Sequence, residues 1–175
     1  MHIYGYNNEQ MPTLVHENIQ ARIRGNVLST FSQIENGVIM NNGNKIEVAL
    51  GYATLYGDSI GAMSPLGDLT KVQLFELSRQ INAQFEKEII PENIINKAPS
   101  AELRPEQKDS DSLPEYEVLD NILYQYIEKR KGVTAITAQG YDENLVRRIL
   151  NMVNKNEYKR NQFCPIIRVS PKAFG

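Results

Sequence analysis

The sequence predicts part of an α/β domain that is mostly helical with one or two strands, and three observations carry that prediction. Several segments repeat their apolar residues every three or four positions, as amphipathic helices do. Only Gly37 to Met40 (GVIM) and the closing PIIRVSPKAFG read as extended. GVIM is followed by NNGN and renewed helical spacing, which is the strand, turn and helix order of an α/β unit. One or two strands are too few for a complete doubly wound sheet.

Val15, Ile19, Ile23, Val27, Phe31 and Ile34 predict a first helix with one face in the core. Asn18, Arg22 and Asn26 form a polar ridge along that stripe, which spacing alone reads as a solvated face. A second helix is expected over Asn44 to Tyr52, with Asn44 as N-cap and the Glu47 carboxylate reaching back to it. Glu47 has an alternative role, since a carboxylate beside a helix N-terminus can hold a divalent metal that bridges phosphates. Gly57 to Asp68 (GDSIGAMSPLGD) is rich in turn formers and is expected to be irregular.

Thr70 and Gln73 form a second capping box, opening a helix to about Phe85 whose buried side is Val72, Leu74, Phe75, Leu77, Ile81 and Phe85. Lys71 at its first position opposes the macrodipole, a placement that makes sense if an anion sits there. Pro91 to Leu113 carries no sustained period and is too long for a plain connector, so a binding loop or a disordered segment is expected. Asp109 and Asp111 within it read as a solvated acidic turn before a metal site. Ser112 and Pro114 start a helix with core residues Val118, Leu119, Ile122, Leu123, Tyr126 and Ile127. A further helix runs from Asp142 to about Asn156 over Leu145, Val146, Ile149, Leu150 and Val153, and ends in EYKRNQ.

At 175 residues the chain reads as one domain, able to bury about 70% of its unfolded surface. The single Cys164 leaves no disulfide framework, and His2 and His16 give no zinc spacing, so a reducing cytoplasm is expected. No apolar run approaches a membrane span, and a net charge of −2 gives nucleic acid no global attraction. No GxxxxGK[ST] or GxGxxG occurs, so any phosphate must be met by other means.

In combination, ENIQARIRGN (17–26), GNKIEVALGYATLYGD (43–58), KAPSAELRP (97–105), DSDSLPEYEVLD (109–120), EYKRNQ (157–162) and the closing AFG resemble the C-terminal third of bacterial glutamine-dependent NAD synthetases. The resemblance runs in order from about Glu17 to the end. It implies the C-terminal part of a Rossmann-like parallel-sheet domain of the adenine nucleotide alpha-hydrolase-like superfamily. It also implies the family chemistry. Deamido-NAD is adenylated with Mg-ATP, and ammonia released from glutamine in a separate glutaminase domain displaces AMP. Such chemistry crowds phosphate oxygens around one centre, so cations and Mg2+ are required and no side-chain nucleophile is.

Carried over by resemblance, Asn42, Lys71 and Ser100 would bind ATP, and Glu47 would hold Mg2+ or the dinucleotide. Asn18, Arg22, Tyr52, Thr54, Asp58 and Lys159 would bind deamido-NAD. Asn42 stands where the family usually has threonine and Ile46 where it has serine, which changes the ATP-side hydrogen bonding. The family's SGGxDS pyrophosphate loop has no counterpart here. Residues 1–175 are therefore expected to be an incomplete ammonia-ligase domain, inactive alone and self-associating as a homo-oligomer, with the loop and glutaminase domain upstream in its relatives. The alternative is a non-enzymatic assembly module built on the same fold.

Overall fold

The computed structural model describes residues 11–97, 103 and 113–174. Eight α-helices form among them: α1 Thr13–Ile34, α2 Lys45–Leu50, α3 Lys71–Gln84, α4 Glu92–Asn96, α5 Tyr116–Leu123, α6 Val133–Thr137, α7 Glu143–Lys155 and α8 Glu157–Arg160. A π-helical turn, Tyr124–Glu128, extends α5. Both predicted capping boxes are present. Asn44 accepts from the Ile46 and Glu47 amides while Glu47 Oε2 accepts from Asn44 N at 2.8 Å, and Thr70 and Gln73 reciprocate in the same way.

The core lies where α2, α5 and α7 meet, closed by α6. Ile46, Leu119, Ile122, Ile136, Val146 and Ile149 are almost wholly enclosed there. The sequence pattern finds α5 and α7 well, because their apolar faces are the ones that are buried.

Two expected core faces are corrected. On α1 the apolar stripe points outward, with Ile23 58%, Phe31 56% and Ile34 69% exposed, and only Ala21 and Gly25 are buried. The contact is made by small residues that let backbones approach closely, a signal that apolar spacing does not carry. On α3 no residue is fully buried, and Leu77, with Phe85 at the C-cap, is exposed. The stretch expected to lack structure after Pro91 contains α4, which seats Ile95 in the interior.

The expected strands are also corrected: among the described residues there are only isolated parallel bridges, Met40 with Met63 and Ser64 with Ile166. Ala62 N donates to Ile39 O, Asn41 N to Met63 O, Ser64 N to Pro165 O and Ile167 N to Ser64 O. Three extended segments thus lie side by side, with the supposedly irregular Met63–Ser64 stretch in the middle. Pairing stops after a residue or two because each segment turns away at once, the first into α2 and the second toward α3.

Candidate functional site

Three pieces of chain meet around the start of α2. The first is α1, whose Gly25 lies against the loop after α2 so tightly that a β-carbon there would be 2.9 Å from the carbonyl oxygens of Tyr56 and Gly57. The second is that loop, 51–58. Its Thr54 amide donates to Asp58 Oδ1, and its Thr54 hydroxyl donates to Asn18 Oδ1 of α1 at 2.7 Å. The third is the turn before α2. There Asn41 donates to the carbonyls of Asp58 and Ile60, and its Oδ1 accepts from Gly43 N.

The loop is also held from behind. Gly51 ends α2 in the left-handed conformation (φ 63°), and Asn156 Nδ2 donates to Leu50 O. Lys159 Nζ donates to Gly51 O at 2.7 Å and Ala53 O at 2.8 Å, and Arg160 donates to Ala49 O. Two cations therefore face the C-terminal end of α2, where its macrodipole is negative. Burial lowers the Lys159 pKa, and the nearby Asp58 carboxylate opposes that shift. Arg160 is further covered by the Phe174 ring at 4.9 Å.

A buried ion cluster fixes the opposite end of α2. Lys45 Nζ lies 2.9 Å from both Asp68 Oδ1 and Glu128 Oε1, and also donates to Ser170 Oγ. Asp68, 1% exposed, accepts from the Val169 and Ser170 amides and the Ser170 hydroxyl. Burial alone would raise its pKa, but these donors and Lys45 outweigh it and hold the carboxyl below the ordinary 3.8.

Between α1, α2 and the loop lies a cavity of about 400 Å³. It brings together Asn42, Glu47, Tyr52, Asp58 and Lys71 from the residues singled out in the sequence. Lys71 Nζ sits 6.0 Å from the ring centroids of Phe75 and Tyr116, so its charge is cushioned by aromatic faces. The other expected residues stand outside the lining. Asn18 and Thr54 bond each other, Arg22 Nε donates to Leu55 O at 3.2 Å, and Lys159 sits behind the loop. Ser100, Asp109 and Asp111 lie outside the described residues. Arg24 and Phe163, which no sequence motif singles out, also line the cavity. The small pair Ala21 and Gly25, four apart, was the available sign that this side of α1 makes close contact.

For a magnesium ion the donor set is sparse. Among the described residues no group of three or more His, Cys, Asp or Glu side chains could hold a metal. Glu47 and Asp58 do line the cavity, and Mg2+ characteristically takes one or two carboxylates and completes its shell with substrate phosphates and water. The residues therefore fit a metal that arrives with a nucleotide.

Comparison with known proteins follows the same line. The NAD synthase family model matches residues 2–163. The glutamine-dependent NAD(+) synthetase of Acinetobacter baylyi is 46% identical over 159 residues, covering 91% of this chain and 29% of that protein. The Acinetobacter baumannii glutamine-dependent NAD+ synthetase, solved with adenosine diphosphate, is 37% identical with a TM-score of 0.50, covering 96% of this chain and 29% of that one. The NMN synthetase of Francisella tularensis superposes with a TM-score of 0.69 at 28% identity, covering 93% of this chain and 58% of that structure. The chain thus spans less than a third of the curated relatives it matches. On its matched sequence and its shared architecture, the chain belongs to the NAD synthase family.

Proposed function

We propose that this chain contributes part of a synthetase domain that adenylates deamido-NAD with Mg-ATP and amidates it with ammonia to give NAD. The observation that carries the reading is the cavity, which gathers Asn42, Glu47, Tyr52, Asp58 and Lys71 from separate segments of the chain. Lys71 is the cation available to ATP phosphates, with Asn42 beside it as a polar contact and Ser100 as a further contact by family resemblance. Glu47, with its Oε2 already on the Asn44 amide, would hold Mg2+, which supplies charge neutralisation on the phosphates. Tyr52 and Asp58 line the deamido-NAD side. Asn18, Arg22, Thr54 and Lys159 serve that side by fixing the loop, as their hydrogen bonds to it indicate. The parallel bridges would form the margin of a Rossmann-like sheet, and ammonia would come from a glutaminase domain, as the names of the glutamine-dependent relatives suggest. By family resemblance the protein works in the cytoplasm on small molecules. Among the described residues no helix is long and apolar enough to cross a membrane.

A second reading is favoured by the outward apolar face of α1: an assembly module that keeps the fold without the chemistry. Titrating deamido-NAD into the isotopically labelled chain separates the two. Millimolar binding that shifts the amides of Gly43, Tyr52 and Asp58 is expected for the enzyme reading. A spectrum unchanged at millimolar ligand favours the module.

A further inference from the structure

We infer that Arg24 is a second cation, beside Arg22, through which α1 meets an anionic group of the dinucleotide. The inference rests on the proposed NAD-forming reading and adds a ligand contact to it. Both arginines are exposed on the same helix, two residues apart, and their surroundings differ. Arg22 Nε donates to Leu55 O, which braces the 51–58 loop and leaves its two terminal nitrogens to other partners. Arg24 makes no hydrogen bond or ion pair among the described residues, and its side chain lines the cavity beside Gly25 and Leu28.

The reason for the difference is the close approach of α1 to the loop. A β-carbon on Gly57 would lie 2.9 Å from Ala21 Cβ and 3.1 Å from Arg22 N, so the backbone at Arg22 is pressed against the loop. Arg24 is rotated about 200° further round the helix at 3.6 residues per turn, clear of that contact. An unpaired guanidinium at the rim of a cavity whose other nearby charges include Glu47 and Asp58 is suited to a bidentate contact with a carboxylate or a phosphate. Phe163 and Tyr52 also line the cavity, and aromatic rings are surfaces on which a flat base stacks.

The test compares the unsubstituted chain with Arg24→Gln and Arg24→Lys, each titrated by NMR with deamido-NAD and, separately, with NAD, which has a carboxamide in place of the carboxylate. Because Arg24 is exposed and holds nothing else in place, Arg24→Gln is expected to fold normally, with unshifted amides outside the cavity. Arg24→Gln should weaken deamido-NAD about tenfold or more, and Arg24→Lys should restore only part of the loss. Equal weakening of NAD assigns the contact to phosphate, and weakening of deamido-NAD alone assigns it to the carboxylate; either supports the inference. Unchanged affinity for both ligands in Arg24→Gln overturns the inference and leaves the proposed function standing. Failure of the unsubstituted chain to shift with either ligand overturns both.

Discussion

Gly25 of α1 and Gly57 of the following loop meet backbone to backbone: a β-carbon on the first would sit 2.9 Å from the carbonyl oxygen of the second. That is closer than carbon atoms come to a carbonyl without movement, and a carbonyl held in a folded loop yields little. Gly25→Ala should therefore push α1 off the loop and destabilise the chain by roughly 1–3 kcal/mol. Gly37 is the control, since nothing lies within 4 Å of the β-carbon it would gain. There alanine should be neutral or stabilise by up to about 1 kcal/mol through the unfolded chain. Equal urea midpoints for the two variants would remove the packing role assigned to Gly25.

The same contact shows why the sequence was legible in some places and not in others. The capping boxes at Asn44 and Thr70 were readable because their partners lie three residues away. The apolar stripe of α1 gave its helical span but not its buried side, because the neighbour it packs on is met through Ala21 and Gly25. Lys159 was expected at a ligand, and its carbonyl partners lie more than a hundred residues earlier, beyond the reach of any spacing argument. The Lys45, Asp68 and Glu128 cluster was missed for the same reason, since each member alone resembles an ordinary surface charge. Of the residues that line the cavity, Asn42, Glu47, Tyr52 and Asp58 on α2 and its flanks are among those the sequence singles out, whereas Arg24 and Phe163 need the fold.

Lys159 provides the next prediction. Its ammonium holds two carbonyls of the loop from a half-buried position. Lys159→Met keeps much of the stem but removes both charged hydrogen bonds, at a cost of about 2 kcal/mol or more. Amide exchange across Tyr52 to Asp58 should quicken more than exchange in α7. A variant as stable as the parent, with unaltered loop exchange, would return Lys159 to the status of a free ligand contact.

Asp68 and Asp120 predict opposite responses to pH. Burial raises the Asp120 pKa, outweighing the Thr70 hydroxyl, the Val72 amide and the Lys45 charge, and its Oδ1 is buried without a partner. The Asp68 pKa is held below 3.8, so its contribution to stability is full above that value and is lost as pH falls through the folded pKa. For Asp120 the folded pKa lies above 3.8, so its contribution is full below 3.8 and is lost as pH rises through the folded value. At pH 7, Asp68→Asn should cost about 3 kcal/mol because it removes the buried carboxylate that pairs with Lys45 and accepts from the Val169 and Ser170 amides. Asp120→Asn should stabilise by about 0.5–2 kcal/mol. Denaturant titrations from pH 3 to 8 read both, and the same sign for the two substitutions would contradict the assignment.

The outward stripe of α1 predicts association. Val15, Ile23, Val27, Phe31 and Ile34 are all exposed along one helix, and apolar faces of that extent are normally covered. The chain should form a dimer or higher oligomer at tens of micromolar, on the order of the affinity such a face supplies. Phe31→Glu with Ile23→Asp should give monomer without loss of helix content. Sedimentation of the unsubstituted chain as a compact monomer at that concentration would count against this role for α1.

The last prediction concerns chemistry by residues 1–175 alone. Adenylation needs the pyrophosphate leaving group held while charge builds on it, and for that purpose the described cavity offers Lys71 directly and Glu47 only through a bound Mg2+. No glycine-rich phosphate cradle occurs in this sequence, and no two of its glycines are adjacent. The amides of such a cradle would supply several charge-assisted hydrogen bonds, each worth roughly 1.5–3 kcal/mol, and their sum exceeds what the one half-buried Lys71 returns. Purified chain mixed with deamido-NAD, Mg-ATP and ammonia should therefore form no measurable NAD. Adding the remaining part of a relative's synthetase domain, in cis or in trans, should restore turnover. That restored turnover should fall sharply in Glu47→Ala and Lys71→Ala, while Lys71→Ala leaves the melting temperature nearly unchanged because the lysine opposes the α3 macrodipole. Steady NAD formation by the isolated chain, abolished by Glu47→Ala so that contamination is excluded, would show that the cavity holds pyrophosphate without a glycine-rich cradle.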